Sequence, residues 1–241
     1  MCGRFTLASD AEALQQTFFN FDVPINLSPR YNISPTQEVA VIANTPTHTE
    51  IRPEMGQVEF FHWGLIPSWA KDPKIGNRMI NARSETLAEK PSFRSAYKRR
   101  RCIILADGYY EWKQVPGDRR KQPVYIRLQS QKPFALAGLW EVWQAEGMDE
   151  PVRSCTIITC PPNDLLEKIH HRMPVILPQD AYAEWLSPDE RPADVLQPLL
   201  VPYSDEEMEA YPVSTFVNRP INNSPECIAP FEVAQSLKRL L

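Results

Sequence analysis

The densest apolar stretches of the chain are short and follow one another through its middle. Cys102–Ala106, Tyr109–Lys113, Pro123–Leu128, Phe134–Trp143 and Ser154–Cys160 are rich in β-branched and aromatic residues, which predicts strands. A Gly117-Asp118 pair between the second and third marks a hairpin turn. Glu38–Ile42 and Val58–Ile66 have the same character earlier, and Pro174–Leu177 and Tyr211–Val217 add two strands near the end. Helical signals are briefer. Ser9 and Glu12 form a capping-box pattern before a helix reaching about Phe19. Ser84–Glu89 and Ser92–Tyr97 read as short helices, the second entered through Pro91. Asn163 caps another to Ile169, and two more fall near 179–186 and 192–200. The stretch Pro24–Pro35 reads as a Pro-rich turn.

Strands cluster without regular βαβ alternation, and no repeat, low-complexity tract or long polar linker divides the chain. The expected class is therefore α+β, a single compact domain over residues 1–241 with a largely antiparallel β core flanked by short helices.

Composition refines this picture. At 241 residues, 43% hydrophobic and 23% charged, the chain is globular. It has no apolar run near the roughly 20 residues of a membrane span. Its start, MCGRFTLASD, lacks the charged and apolar regions of a secretory signal. A soluble, cytoplasmic protein with no membrane partner is expected. Proline is abundant at 24 residues and glycine sparse at 8, which implies stiff connections between short elements. The five cysteines (2, 102, 155, 160 and 227) are odd in number and contain no C-x-x-C pair. Reduced thiols fit better than a disulfide framework or a zinc site, and no metal is expected.

The net charge of −4 hides an uneven distribution. Lys71–Arg101 holds ten basic and three acidic residues, whereas Asp180–Glu209 holds nine acidic and one basic. A polyanion responds to the local field rather than to the total. Two solvated helix faces explain the same runs equally well.

Cys2 is the first candidate for chemistry. Initiator methionine is commonly removed before a small residue, and cysteine qualifies. The new terminus would carry an α-amine with an ordinary pKa of ~7.7–8.0 beside a thiol of ~8.5. An aldehyde meeting that pair forms an imine, which the thiol closes into a thiazolidine. The plain alternative is that position 2 is merely small. Arg4, two residues on, offers a guanidinium to phosphate.

Asn81 and Arg83 lie in Ile80–Glu85, just before a predicted helix, as an amide to orient a carbonyl and a forked phosphate contact. An ordinary helix entry capped by Ser84 fits as well. Glu111 sits between Tyr110 and Trp112 at the end of an apolar run, where desolvation raises a carboxyl pKa and suits it to proton transfer. An edge-strand acid paired with Lys113 or Arg119 is the alternative. His170 and His171 are adjacent, and in an extended segment such neighbours point apart, a poor chelating pair. One of them as acid or base, with Arg172 on phosphate, competes with a polar helix exit. Trp63 reads as core. Trp69, in a Pro-flanked loop, is the better stacking platform for a single strand.

Together these stretches resemble one family, the SOS response-associated peptidase (SRAP) family of abasic-site processing proteins. The matching pieces are MCGRF at the start, RYNISP at 30–35, WGLIPSW at 63–69, INARSET at 80–86, LADGYYEWK at 105–113, IHHRMPVIL at 169–177 and NNSPECIAP at 222–230. The resemblance implies a barrel-like β core and covalent attachment to an abasic site in single-stranded DNA through Cys2, without metal or nucleotide cofactor. It places Asn81, Glu111 and His170 in the active site, leaves His171 structural, and sets Arg4, Arg83 and Arg172 on phosphates with Trp69 stacking on bases. Some members carry a second tryptophan after the Trp69 position, where this chain has Ala70. It also implies a role in the DNA damage response, and a monomer is expected. An autoproteolytic N-terminal-nucleophile hydrolase and a non-covalent single-strand binding module remain as rival readings.

Overall fold

The structure, a computed structural model, describes residues 2–24, 27–44, 56–117 and 119–231. Its strands are β1 (Phe5–Leu7), β2 (Phe21–Asp22), β3 (Arg30–Ile33), β4 (Glu38–Ala43), β5 (Gly56–Trp63), β6 (Asn81–Arg83), β7 (Arg101–Ala106), β8 (Gly108–Gln114), β9 (Lys121–Leu128), β10 (Phe134–Trp143), β11 (Val152–Cys160), β12 (Met173–Pro174), β13 (Ile176–Leu177) and β14 (Met208–Pro212). Short helices join them: α1 (Ala11–Thr17), α2 (Arg94–Arg99), α3 (Asp164–Glu167), α4 (Tyr182–Trp185) and α5 (Ala193–Leu196).

The strands β5, β4, β7, β10 and β11 pair in that order, and β11 returns to β5 to close a barrel. The closing pair is parallel, with Ser154 opposite His62 and Cys155 opposite Trp63; the others are antiparallel. Every residue of β7 is buried, because neighbours cover both of its faces. That double burial is why β7 reads as an unbroken apolar run rather than an alternating one.

A second, antiparallel sheet has the order β14-β9-β8-β1-β3. Here β1 is an interior strand: Phe5 pairs with both Ile33 of β3 and Tyr109 of β8. Phe5 then meets Trp63 of the barrel edge-on, with ring centroids 5.1 Å apart, so the sheet and the barrel share a core.

Asp107, at the β7–β8 corner, clasps the start of the chain. Its carboxylate accepts hydrogen bonds from the Ala8 amide (2.5 Å), the Ser9 amide (2.7 Å), the Ser9 hydroxyl (3.0 Å) and the Thr6 hydroxyl. A buried carboxylate survives on such donors. Opposite the clasp, the fully buried Arg101 donates to the carbonyls of Trp185 (2.8 Å), Tyr97 (3.2 Å), Ser187 (2.6 Å), Asp189 (3.0 Å) and Lys98. Asn44 completes that network by accepting from the Arg101 amide (2.9 Å) and from Trp140 Nε1 (3.0 Å).

Several elements differ from the expectation. The cap of α1 is Asp10, whose carboxylate accepts from the Ala13 amide at 2.8 Å, because Asp107 already holds Ser9. Within the Pro-rich stretch, Arg30–Ile33 is a strand, recruited by the β1 ladder rather than by its own apolar pattern. β5 ends at Trp63 because Gly64 turns the chain at φ +136°, a left-handed value that a side chain strains against. A Cβ there would also stand 2.7 Å from the Gly76 carbonyl.

The stretch at 84–89 forms only a 3-10 turn, Ser84–Thr86, after a strand, β6, that runs parallel to β11. The predicted strand Tyr211–Val217 is displaced: β14 spans Met208–Pro212, and a Ser214-capped turn follows. Pro212 offers no amide to continue the ladder. Gly117, at φ +82°, supplies the left-handed residue of the β8–β9 hairpin, whereas Asp118 lies outside the described residues.

The charged runs partly meet each other. Lys98 and Arg99 approach Glu190 at 3.9 and 3.7 Å, so the end of the basic stretch faces the acidic one. Lys71, Lys74, Arg78, Arg83, Lys90 and Arg94 remain exposed. Among the described residues no helix is long and apolar enough to cross a membrane.

Asp107→Ala strips the acceptor from several donors at once. The expected loss is about 3 kcal/mol of unfolding free energy with little change in m-value, read by urea denaturation.

Candidate active site

Cys2 lies three residues before β1 and is fully buried. Its position follows from the β1–β8 ladder, in which the Tyr110 amide donates to the Arg4 carbonyl at 2.9 Å. Asn81, on β6, donates from Nδ2 to the Cys2 carbonyl at 2.8 Å. β6 reaches that point because it pairs with β11, Asn81 opposite Ile157. Asn81 and Arg83 share one side of β6, and Ala82 turns into the core.

Glu111 is buried on β8 and lies close enough to Cys2 for their charges to interact. Burial is the main cause that raises its carboxyl above the ordinary range. Burial, then Glu111, pushes the Cys2 thiol far up, so the thiol stays protonated at neutral pH. His170 follows α3, whose cap Asn163 accepts from the Leu166 amide at 3.0 Å, as expected. The helix ends at Glu167, and the His170 amide still donates to Leu166 O at 2.8 Å, which fixes the turn.

His170 Nδ1 stands 3.8 Å from Glu111 Oε1. It accepts from the Arg172 amide at 3.1 Å, and when protonated it faces the Arg172 carbonyl at 3.1 Å. Burial lowers its pKa, so the neutral ring with its proton on Nε2 prevails near pH 7. Four separate segments thus bring Cys2, Asn81, Glu111 and His170 together. His170 and His171 do not point apart. Their rings lie 4.2 Å apart at an interplanar angle of 31°, because the chain turns there instead of extending.

The cationic candidates divide. Arg83 is exposed beside Asn81. Trp69 is 59% exposed on a loop held from beneath, where Trp143 Nε1 donates to the Ala70 carbonyl at 2.7 Å and Ala70 itself is buried. Arg4 is half-buried, with its guanidinium bonded to Asn32 Oδ1 (2.7 Å) and the Val217 carbonyl (3.0 Å) and 5.8 Å from the Trp112 ring centroid. Arg172 is buried in a two-pronged pair with Glu85 and also donates to the Thr159 carbonyl at 2.5 Å. That guanidinium holds the Glu85 carboxyl below its usual range.

Sequence reasoning assigned no role to three residues that lie around the candidate site. Asn32 ties Arg4 to the 217–222 loop through the Val217, Arg219 and Asn222 carbonyls. Trp112 donates to Asn218 Oδ1 at 2.8 Å beneath Arg4. Tyr109 stands fully buried two residues before Glu111. An asparagine buried between prolines was the available signal for the first; nothing local distinguishes Tyr109 from a core aromatic.

Residues 1–220 match the family described as SOS response associated peptidase (SRAP). The chain is 49% identical over 232 residues to the abasic site processing protein YoqW of Bacillus subtilis, covering 95% of this chain and 99% of that one. It is 36% identical over 192 residues to the abasic site processing protein HMCES of Gallus gallus, covering 71% and 56%. A crystal structure of a protein from Bacteroides thetaiotaomicron superposes with a TM-score of 0.81 at 28% identity, covering 96% of this chain and 100% of that one. The motifs, the closed barrel and the buried cluster around Cys2 agree with these likenesses, and the chain belongs to the SRAP family of abasic site processing proteins.

Proposed function

We infer that this protein binds abasic sites in single-stranded DNA and joins them covalently through Cys2. The observation that carries the reading is the convergence of Cys2, Asn81, Glu111 and His170 on one buried spot. Relatives named abasic site processing proteins support it. The reading requires loss of Met1, which frees the Cys2 α-amine.

In the proposed sequence, the protonated form of His170 donates from Nε2 to the ring oxygen of the abasic sugar, the C1 hydroxyl gives its proton to water, and the ring opens to an aldehyde. The amine adds to the aldehyde carbon. Glu111 carries the two amine protons in turn from nitrogen to the former aldehyde oxygen, which leaves as water. The thiol then adds to the imine carbon, its proton passes to nitrogen, and a thiazolidine closes. Asn81 holds the Cys2 carbonyl throughout. A protonated, buried thiol fits an amine-first reaction better than thiolate attack on a peptide bond, which favours crosslinking over the hydrolase reading.

Arg83, exposed beside Asn81, is proposed to hold a phosphate of the strand, and Trp69 to stack on a base. Arg4 and Arg172 act in this reading as braces whose positive field adds to the attraction.

The decisive experiment is intact mass after mixing the purified protein with a single-stranded oligonucleotide carrying one abasic site. The expected species equals Met1-less protein plus oligonucleotide minus one water, survives denaturation and is absent from Cys2→Ala. Binding without any such species, by a protein that has lost Met1, returns the reading to a non-covalent module.

The rate of adduct formation is expected to fall as pH drops through the raised Glu111 pKa, because the protonated acid no longer accepts the amine proton. In Glu111→Gln the limb owed to the carboxyl disappears, that of the α-amine remains, and the rate is at least tenfold lower, roughly the low end of general acid–base contributions. Arg83→Ala is expected to weaken binding to abasic and intact strands alike, and to reduce the salt slope by roughly 0.7, measured by titration at several ionic strengths.

A further inference from the structure

The sheet that holds Cys2 is rich in tyrosine, and its members differ in one respect. Tyr110 donates to the Tyr31 carbonyl at 2.7 Å, Tyr125 bonds the Thr6 hydroxyl at 2.9 Å, and Tyr211 donates to the Ile228 carbonyl at 3.0 Å. The Tyr109 hydroxyl is buried and has no hydrogen-bond partner among the described residues. An unpaired buried hydroxyl is destabilising, and phenylalanine would fill nearly the same volume without that cost.

Tyr109 precedes Glu111 by two residues on β8, so both project from one face. Its hydroxyl lies within electrostatic reach of Cys2, Glu111 and Cys160. Asn81 Oδ1, on the amide whose Nδ2 holds the Cys2 carbonyl, is likewise buried without a hydrogen-bond partner among the described residues. Burial keeps the phenol neutral, and so a donor, while Oδ1 only accepts. An unmatched donor and an unmatched acceptor beside one nucleophile complement a group that accepts and donates, an alcohol.

We propose that Tyr109 contacts the substrate, donating to the hydroxyl that an abasic sugar frees when its ring opens, while Asn81 Oδ1 accepts from that hydroxyl. The proposal rests on the crosslinking reading and names the part of the sugar recognised beside the aldehyde. No other aldehyde-bearing strand without that hydroxyl would use the contact.

The test compares wild type with Tyr109→Phe on two single-stranded oligonucleotides of one sequence. One carries an abasic site, the other an alkyl aldehyde with no hydroxyl on its linker. The expected result is adduct formation about tenfold slower on the abasic strand, equal rates on the alkyl aldehyde, and a melting temperature equal to or above that of wild type. An unchanged abasic rate overturns the proposal. So does equal slowing on both strands, which assigns Tyr109 to positioning Cys2, and so does a lowered melting temperature, which gives the hydroxyl a structural partner. If wild type forms no adduct with either strand, the crosslinking reading falls and the proposal with it.

Discussion

The structure depends on where the first strand lies. β1 is three residues long, too short to hold itself, yet it sits inside a sheet, between β3 and β8. Two things keep it there: ladders on both edges, and the Asp107 carboxylate gathering the amides of Ala8 and Ser9. A chain terminus ordinarily frays in solvent. Here the residues just before β1 are carried into the interior, and Cys2 is buried beside Glu111. Everything chemical at the site follows from that placement, including the raised thiol and the raised carboxyl.

The remaining site residues reach Cys2 by different routes. Asn81 comes on a parallel strand borrowed from the barrel, through β11. Glu111 comes on the neighbour of β1 itself, and His170 on a helix exit pinned to Leu166. Three of the four approaches are therefore backbone-registered, which limits how far any one side chain can drift. The Arg4–Asn32–Val217 linkage ties a late loop to the same centre. Sequence separations of 213 and 185 residues close across a few ångströms there.

The barrel strands were legible in the sequence because double burial writes an apolar run that needs no context. Phe134–Trp143 matches β10 at both ends. What escaped were the strands that exist only through a partner. Arg30–Ile33 and Asn81–Arg83 are polar and Pro- or turn-flanked, and their hydrogen bonds come from β1 and β11. Ser9 looked like a cap until Asp107, 98 residues away, claimed its hydroxyl. The chemistry-bearing residues were easier to name than their neighbours, since Cys2, Glu111 and His170 are unusual in their local settings. Tyr109 was not, because a tyrosine without a hydrogen bond cannot be told from a satisfied one until the surroundings are known.

The arrangement of charge at the centre also sets an order of events in the proposed reaction. A thiol raised by burial and by Glu111 is a poor first nucleophile, whereas an α-amine needs only to shed one proton. Glu111, itself raised, takes that proton up more readily than an ordinary carboxylate would. His170, lowered by burial, is the stronger acid whenever it carries the second proton. The same burial that suppresses the thiol thus equips its neighbours for proton transfer. Once an imine has formed, its carbon is electrophilic enough for a neutral thiol held next to it. Desolvation then costs the second step little and spares the site from premature thiolate chemistry.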